Sequence, residues 1–141
     1  MEVSIEPGTP DEHEYVYSGE GNEIPGAEAG DLVVVVSIKK HRFFERIGAD
    51  LALEKEITLK EALLGFTFTC KFLDGKQHLI SSLSGEVTSS GTMKSVKGKG
   101  LPFFKDRMGQ GNLIIKFSVK FPKGSDLTQE SRALLDKVEN L

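Results

Sequence analysis

The chain has 141 residues, 38% hydrophobic and 28% charged, which fits one compact domain or two very small ones. Its 18 basic and 21 acidic residues leave a net charge of -3, so it lacks the basic surface that phosphate binding requires, and no nucleic-acid partner is expected. A single cysteine, Cys70, excludes an internal disulfide and any multi-cysteine zinc site; a chain this long can fold without either.

In chain order, the first twenty residues are acidic and carry no apolar core, so they do not read as a signal peptide. Tyr15 to Tyr17 reads as a short aromatic strand. Leu32 to Ile38 reads as a β-branched strand paired on both sides. Its core, Leu32 to Val36, is the longest apolar run and is strand-sized, so no membrane partner is expected and the default is a soluble cytoplasmic protein. Leu51 to Glu56 alternates apolar and charged residues as a half-exposed strand does. Thr58-Leu59-Lys60-Glu61 has capping-box spacing, and Gly65 supplies a stop, so a helix of barely two turns is predicted between them. Phe66 to Leu73 places Phe66, Phe68, Cys70 and Phe72 on one face, with Cys70 a buried structural thiol. Asp74-Gly75 then turns a hairpin into Lys76 to Ser81. Gly98 to Gly111 reads as a loop and Ile114 to Phe121 as a closing strand. After Pro122, Asp126 to Leu141 has helical apolar spacing over about four turns.

The chain also repeats itself. Glu2-Val3-Ser4 answers to Glu86-Val87-Thr88, Gly8-Thr9 to Gly91-Thr92, and Gly19-Glu20-Gly21 to Gly98-Lys99-Gly100. Ile24-Pro25 then answers to Leu101-Pro102, Gly30-Asp31-Leu32 to Gly111-Asn112-Leu113, and Val33 to Lys40 lies over Ile114 to Phe121. The same order is thus expected twice, beginning with a strand at Glu2 to Ser4 and at Glu86 to Thr88 and passing through a Gly-Thr turn to a second strand. The second copy has a preceding half, Phe43 to Ser84, and the first has none. The expectation is therefore a mainly β fold of two tandem small β-sandwich-like subdomains, the first incomplete, with a short internal helix and a C-terminal helix. Its bounds are set at 1–41, 42–122 and 123–141.

No catalytic constellation is visible. His13, His41 and His78 are scattered without metal-ligand spacing, and neither a nucleophile elbow nor a phosphate loop is present. No enzyme activity, catalytic residue or metal ligand is expected.

HRFFERIGADL (His41 to Leu51), ITLKEALLGFTFT (Ile57 to Thr69), LDGK (Leu73 to Lys76), GKGLP (Gly98 to Pro102) and GNLIIKFSVKFP (Gly111 to Pro122) together resemble the C-terminal substrate-binding region of the DnaJ family of J-domain cochaperones. GEGNEIPGAEAGDLVVVV (Gly19 to Val36) resembles the end of that region's first β-domain. The wording is closer to the zinc-containing class. The J-domain signature and the zinc repeats of that class are not among these residues, so zinc is expected only in an upstream part of a parent protein and no cofactor in this chain. The resemblance implies binding of unfolded polypeptides, delivered in the full protein to a seventy-kilodalton heat-shock chaperone. It implies Phe44, with Phe43 beside it, as peptide-binding residues; both read equally well as hinge core. It implies a homodimer through Leu127, Leu134, Leu135, Val138 and Leu141. A rival reading is a structural dimerisation module with little client affinity by itself.

Overall fold

The computed structural model describes residues 2–22, 25–26 and 29–141. Ile24 of the Ile24-Pro25 landmark, with Glu23, Ala27 and Glu28 of the stretch around it, lies outside the described residues. The architecture is mainly β. Strand β1 (Glu14–Tyr17) pairs antiparallel with β2 (Leu32–Val35), Glu14 opposite Val35 and Tyr17 opposite Leu32. Four further strands form the larger sheet: β3 (Phe44–Ile47), β4 (Asp50–Thr58), β7 (Met93–Val96) and β10 (Leu113–Lys120), in the order β3-β4-β10-β7. Strands β5 (Thr67–Lys71) and β6 (Gln77–Ser81) make one hairpin, β8 (Pro102–Phe103) and β9 (Asp106–Gln110) another. Helix α1 (Leu59–Leu64) follows β4, and α2 (Gln129–Asp136) lies near the C-terminus.

The chain divides into two compact units, 1–53 with 95–114, and 54–94 with 115–141. It passes from one to the other within β4, β7 and β10. In the first unit the buried residues among those described are Thr9, Phe44, Leu51, Gly111 and Leu113. In the second they are Ile57, Ala62, Phe66, Cys70, Phe72, Ile80, Thr88, Ile115 and Phe117, with Phe117 against Phe66 at 5.0 Å and Phe68 at 6.3 Å.

Local chemistry explains the second unit's elements. Thr58 Oγ1 accepts the Glu61 N–H at 3.2 Å and the Glu61 carboxylate accepts the Thr58 N–H at 3.0 Å, closing the expected capping box. Gly65 ends α1 at φ 108, a conformation costly for other residues. After it, alternation buries Phe66, Cys70 and Phe72 while Thr67, Thr69 and Lys71 stay exposed. The hairpin turns through Leu73, Asp74 and Gly75: the Phe72 N–H donates to Lys76 O at 3.0 Å, and Gly75 takes φ 82.

The repeat is visible in backbone hydrogen bonds, and they correct its register. Phe117 donates to Thr92 O at 2.9 Å and accepts from the Gly91 N–H at 2.7 Å, so two residues face one in a β-bulge. In the first copy Val36 does the same, donating to His13 O at 2.9 Å and accepting from the Glu12 N–H at 2.8 Å. The turns before the bulges also match, His13 N–H to Pro10 O against Thr92 N–H to Ser89 O, and both Thr9 and Thr88 are buried. Gly91-Thr92 is therefore answered by Glu12-His13, and Thr88 by Thr9. The expected matches to Gly8-Thr9 and Glu2-Val3-Ser4 are displaced, because composition marks a turn while the ladder fixes the register. Beyond the bulge the expected matches of Gly21 to Gly100, Gly30 to Gly111 and Val36 to Phe117 hold. Gly21 N–H donates to Gly30 O at 2.7 Å, and Gly100 N–H to Gly111 O at 2.9 Å. A Cβ at either donor glycine would meet a carbonyl oxygen at 2.6 Å, Asp31 O for Gly21 and Ala49 O for Gly100.

Four expectations about elements change. Neither Glu2 to Ser4 nor Glu86 to Thr88 forms a strand; Thr88 spends its N–H on Ala62 O at 2.9 Å instead. The segment Gly98 to Gly111 is no simple loop but carries β8 and β9, turned at Phe104-Lys105 with Lys105 at φ 62, a position composition does not advertise. Among the described residues β2 is paired only with β1, whereas its counterpart β10 lies between β4 and β7. The C-terminal helix runs eight residues, about half the expected length, because helical spacing continues past the point where Lys137 caps α2.

Glu12 sits at φ 61 where the second copy has Gly91 at φ 88. Glu12→Gly is expected to stabilise the protein by about 1 kcal/mol, by removing the Cβ clash of a left-handed residue, and Gly91→Glu to destabilise it by a similar amount. Phe117→Ala, which empties a site 1% exposed, is expected to cost about 3–5 kcal/mol. Urea unfolding of the variants measures both effects.

Candidate functional site

The segment His41 to Arg46 is built by its own first residue. His41 Nδ1 accepts the Phe43 N–H at 3.0 Å and the Phe44 N–H at 3.3 Å, so the imidazole closes the turn that leads into β3. The turn sends the two phenylalanines to different environments. Phe44 is 8% exposed and opens β3 opposite Leu53, while Phe43 is 60% exposed. The Phe43 ring lies beneath the Arg42 guanidinium at 5.2 Å, and the His41 ring is 6.1 Å from Phe43 and 5.2 Å from Phe44.

Two residues beyond Phe44, on the same side of the strand, Arg46 satisfies three backbone carbonyls. Its Nη1 donates to Thr9 O at 2.7 Å, Nη2 to Gly8 O at 3.0 Å, and Nε to Gly48 O at 3.0 Å. A lysine ammonium has no planar fork with which to do this. The Gly8-Thr9 turn is held from its other side as well. Thr9 Oγ1 donates to Glu6 O at 2.6 Å and lies 2.6 Å from Tyr15 Oη, which also accepts the Glu6 N–H at 3.3 Å. His13 packs edge-on between Tyr15 and Phe104, 4.8 Å from each. Beside this turn is an open cleft of about 280 Å³, lined by Glu6, Pro7, Pro102, Phe103 and Lys105. Its walls are two prolines and a half-exposed phenylalanine, with one charge of each sign at the rim.

Phe43 and Phe44 are thus brought together, one as surface and the other as support. The tail residues are placed differently. Leu134, Leu135, Val138 and Leu141 are 58%, 40%, 50% and 66% exposed, Leu127 is half-buried, and α2 buries no residue. Sequence reasoning missed Arg46, Thr9 and Tyr15. Arg46 lay within the quoted HRFFER segment, but carbonyl partners 37 and 38 residues away leave no trace in spacing.

Among the described residues no group of three or more histidines, cysteines or carboxylates is placed to hold a metal ion. Cys70 is buried opposite His78, and burial pushes its thiol up from the ordinary range, only partly offset by the Lys55 charge. No helix among the described residues is long and apolar enough to cross a membrane.

A family model described as the DnaJ C terminal domain matches residues 1–122. Among curated proteins, DnaJ homolog subfamily A member 4 of Mus musculus is 39% identical over 136 residues, 96% of this chain and 34% of that protein. DnaJ homolog subfamily A member 2 of Homo sapiens is 35% identical over 136 residues, 96% of this chain and 33% of that protein. Mitochondrial protein import protein MAS5 of Saccharomyces cerevisiae is 38% identical over 138 residues, 98% of this chain and 34% of that protein. The chain spans about a third of the length of these relatives. The subfamily A names agree with the zinc-containing class.

Arg46→Lys is expected to strand carbonyls at the Gly8-Thr9 turn and to cost about 1–3 kcal/mol in urea unfolding. Unchanged stability would remove the turn-holding role. Native Cys70 is expected to react with Ellman's reagent at pH 8 at least ~10-fold more slowly than the urea-unfolded thiol; equal rates would contradict its burial.

Proposed function

The chain belongs to the DnaJ C-terminal domain family, and on that premise we propose that it binds unfolded polypeptides and dimerises as part of a cytoplasmic cochaperone. In the full protein it would pass clients to a seventy-kilodalton heat-shock chaperone. Residues 1–41 would be the end of a first β-domain, 42–122 the second, and 123–141 the dimerising tail. No enzymatic step, nucleic acid or membrane enters this role.

The observation that supports client binding most is the Phe43 ring, exposed and oriented by the His41-closed turn, with Phe44 behind it. An apolar ring on a fixed backbone grips many sequences equally, as a chaperone needs. An extended client can supply main-chain hydrogen bonds alongside. The rival reading, a dimerisation module with little client affinity, is favoured by one different observation. The apolar residues of the tail from Leu134 to Leu141 are exposed, and a short helix is marginal until such a stripe is covered.

Fluorescence anisotropy with a labelled unfolded peptide separates the two. Saturable binding weakened about 5–20-fold by Phe43→Ala supports the client-binding role, and no saturable binding beside a stable dimer favours the rival. Leu134→Asp is expected to halve the mass seen in light scattering. A mass unchanged by that variant would remove the tail from the interface.

A further inference from the structure

Between β2 and β3 the chain runs exposed from Ser37 to Phe43, without helix or strand. The run carries Lys39, Lys40 and Arg42 and no carboxylate, in a chain whose net charge is -3. Its backbone is nevertheless fixed near both ends. Ile38 N–H donates to Asp11 Oδ1 at 2.8 Å, and His41 Nδ1 accepts the Phe43 and Phe44 N–H groups at 3.0 and 3.3 Å. The cations are therefore presented from a held segment, with Lys39 and Lys40 between its two attachments.

The protein does not neutralise this charge. Lys39, Lys40 and Arg42 are in no ion pair among the described residues, and Asp11, the carboxylate bonded to the run, spends Oδ1 on a backbone amide. The Arg42 guanidinium lies 5.2 Å over the ring of Phe43, a residue 60% exposed. An apolar anchor and unpaired positive charge thus share one short surface. The exposure belongs to the position in the repeat. In the second copy, whose preceding half is Phe43 to Ser84, the answering stretch Lys120 to Lys123 is exposed throughout, with Phe121 68% exposed.

We propose that this run selects clients by charge: the segment of unfolded polypeptide held at Phe43 carries carboxylates beside an apolar residue. The inference rests on the client-binding role proposed above and names the class of polypeptide it takes. An apolar client side chain covers the exposed Phe43 ring, while aspartates or glutamates next to it meet Lys39, Lys40 and Arg42. The guanidinium offers a carboxylate two parallel donors, and the client's apolar side chain keeps water away from that pair and strengthens it. Charge pairs at the rim of an interface set specificity and association rate more than affinity, and salt screens them. A client with lysines in the same places meets like charge instead.

Fluorescence anisotropy tests this on the full chain, with labelled unstructured peptides identical except for the residues flanking one leucine. At low salt the aspartate-flanked peptide is expected to bind about fivefold tighter than the asparagine-flanked one, and the lysine-flanked one weaker than both. The first difference should shrink to about twofold or less in about 0.5 M NaCl. Lys39→Glu combined with Lys40→Glu should reverse the order of the three, with folding checked by circular dichroism. Phe43→Ala should weaken all three by a similar factor and keep their order. Equal affinity for the three peptides overturns the charge selection and leaves client binding standing; no saturable binding of any of them overturns both. An order unmoved by the double lysine reversal overturns the assignment to this run. Should that variant not fold, the order of the peptides on the unaltered chain and its loss in salt decide. Equal peptide affinities beside co-sedimentation with phosphatidylserine vesicles would give the run to an anionic lipid surface and overturn the proposal.

Discussion

Two residues, Val36 and Phe117, each spend both backbone groups on a bulged pair whose first member is left-handed, and much else follows from that. The bulge decides where each hairpin begins, which residues of β2 and β10 face inward, and which backbone groups turn to the far edge. In the second copy the far edge is covered by β4 and the inward face becomes the buried row Leu113, Ile115 and Phe117. In the first copy the same ladder carries Leu32, Val34 and Val36 half-buried, and among the described residues β1 is the strand that pairs with β2. One backbone device thus carries a buried row in the second copy and a half-buried row in the first.

The second constraint is the Arg46 guanidinium. Three carbonyls converge on it, two from the Gly8-Thr9 turn and one from Gly48 at the β3–β4 turn. A planar fork is the side chain that meets such a set without leaving a buried acceptor unpaired. Arg46 shares its strand with Phe44, and the turn it holds borders the cleft lined by Pro7, Pro102 and Phe103. The turn beside the cleft thus rests on Arg46, and the aromatic surface one turn earlier in the same segment on His41 Nδ1.

Much of the fold was legible because it is written locally. The capping box at Thr58 and Glu61, the alternation from Phe66 to Phe72, and the Asp74-Gly75 hairpin each depend on residues within a few positions of one another. The repeat was legible for the same reason, its glycines marking turns. Its register was not, because Glu12 occupies a left-handed position where pattern reading looks for glycine and so settled on Gly8. The β8–β9 hairpin escaped for a related reason, since Phe104-Lys105 is not a turn dipeptide by composition. At the site, Phe43 and Phe44 were named through family resemblance, and their opposite exposures follow from His41 Nδ1, an acceptor no spacing rule detects.

The central claim is that client polypeptide is gripped by the surface around Phe43 rather than by the C-terminal tail. Amide chemical-shift mapping during titration with an unlabelled unfolded peptide tests it most directly. The account predicts saturable shifts at His41 to Arg46 and at the Glu6 to Thr9 turn held by Arg46, with the amides of α2 unmoved. Shifts confined to α2, or none at all at high peptide concentration in a folded protein, would contradict it.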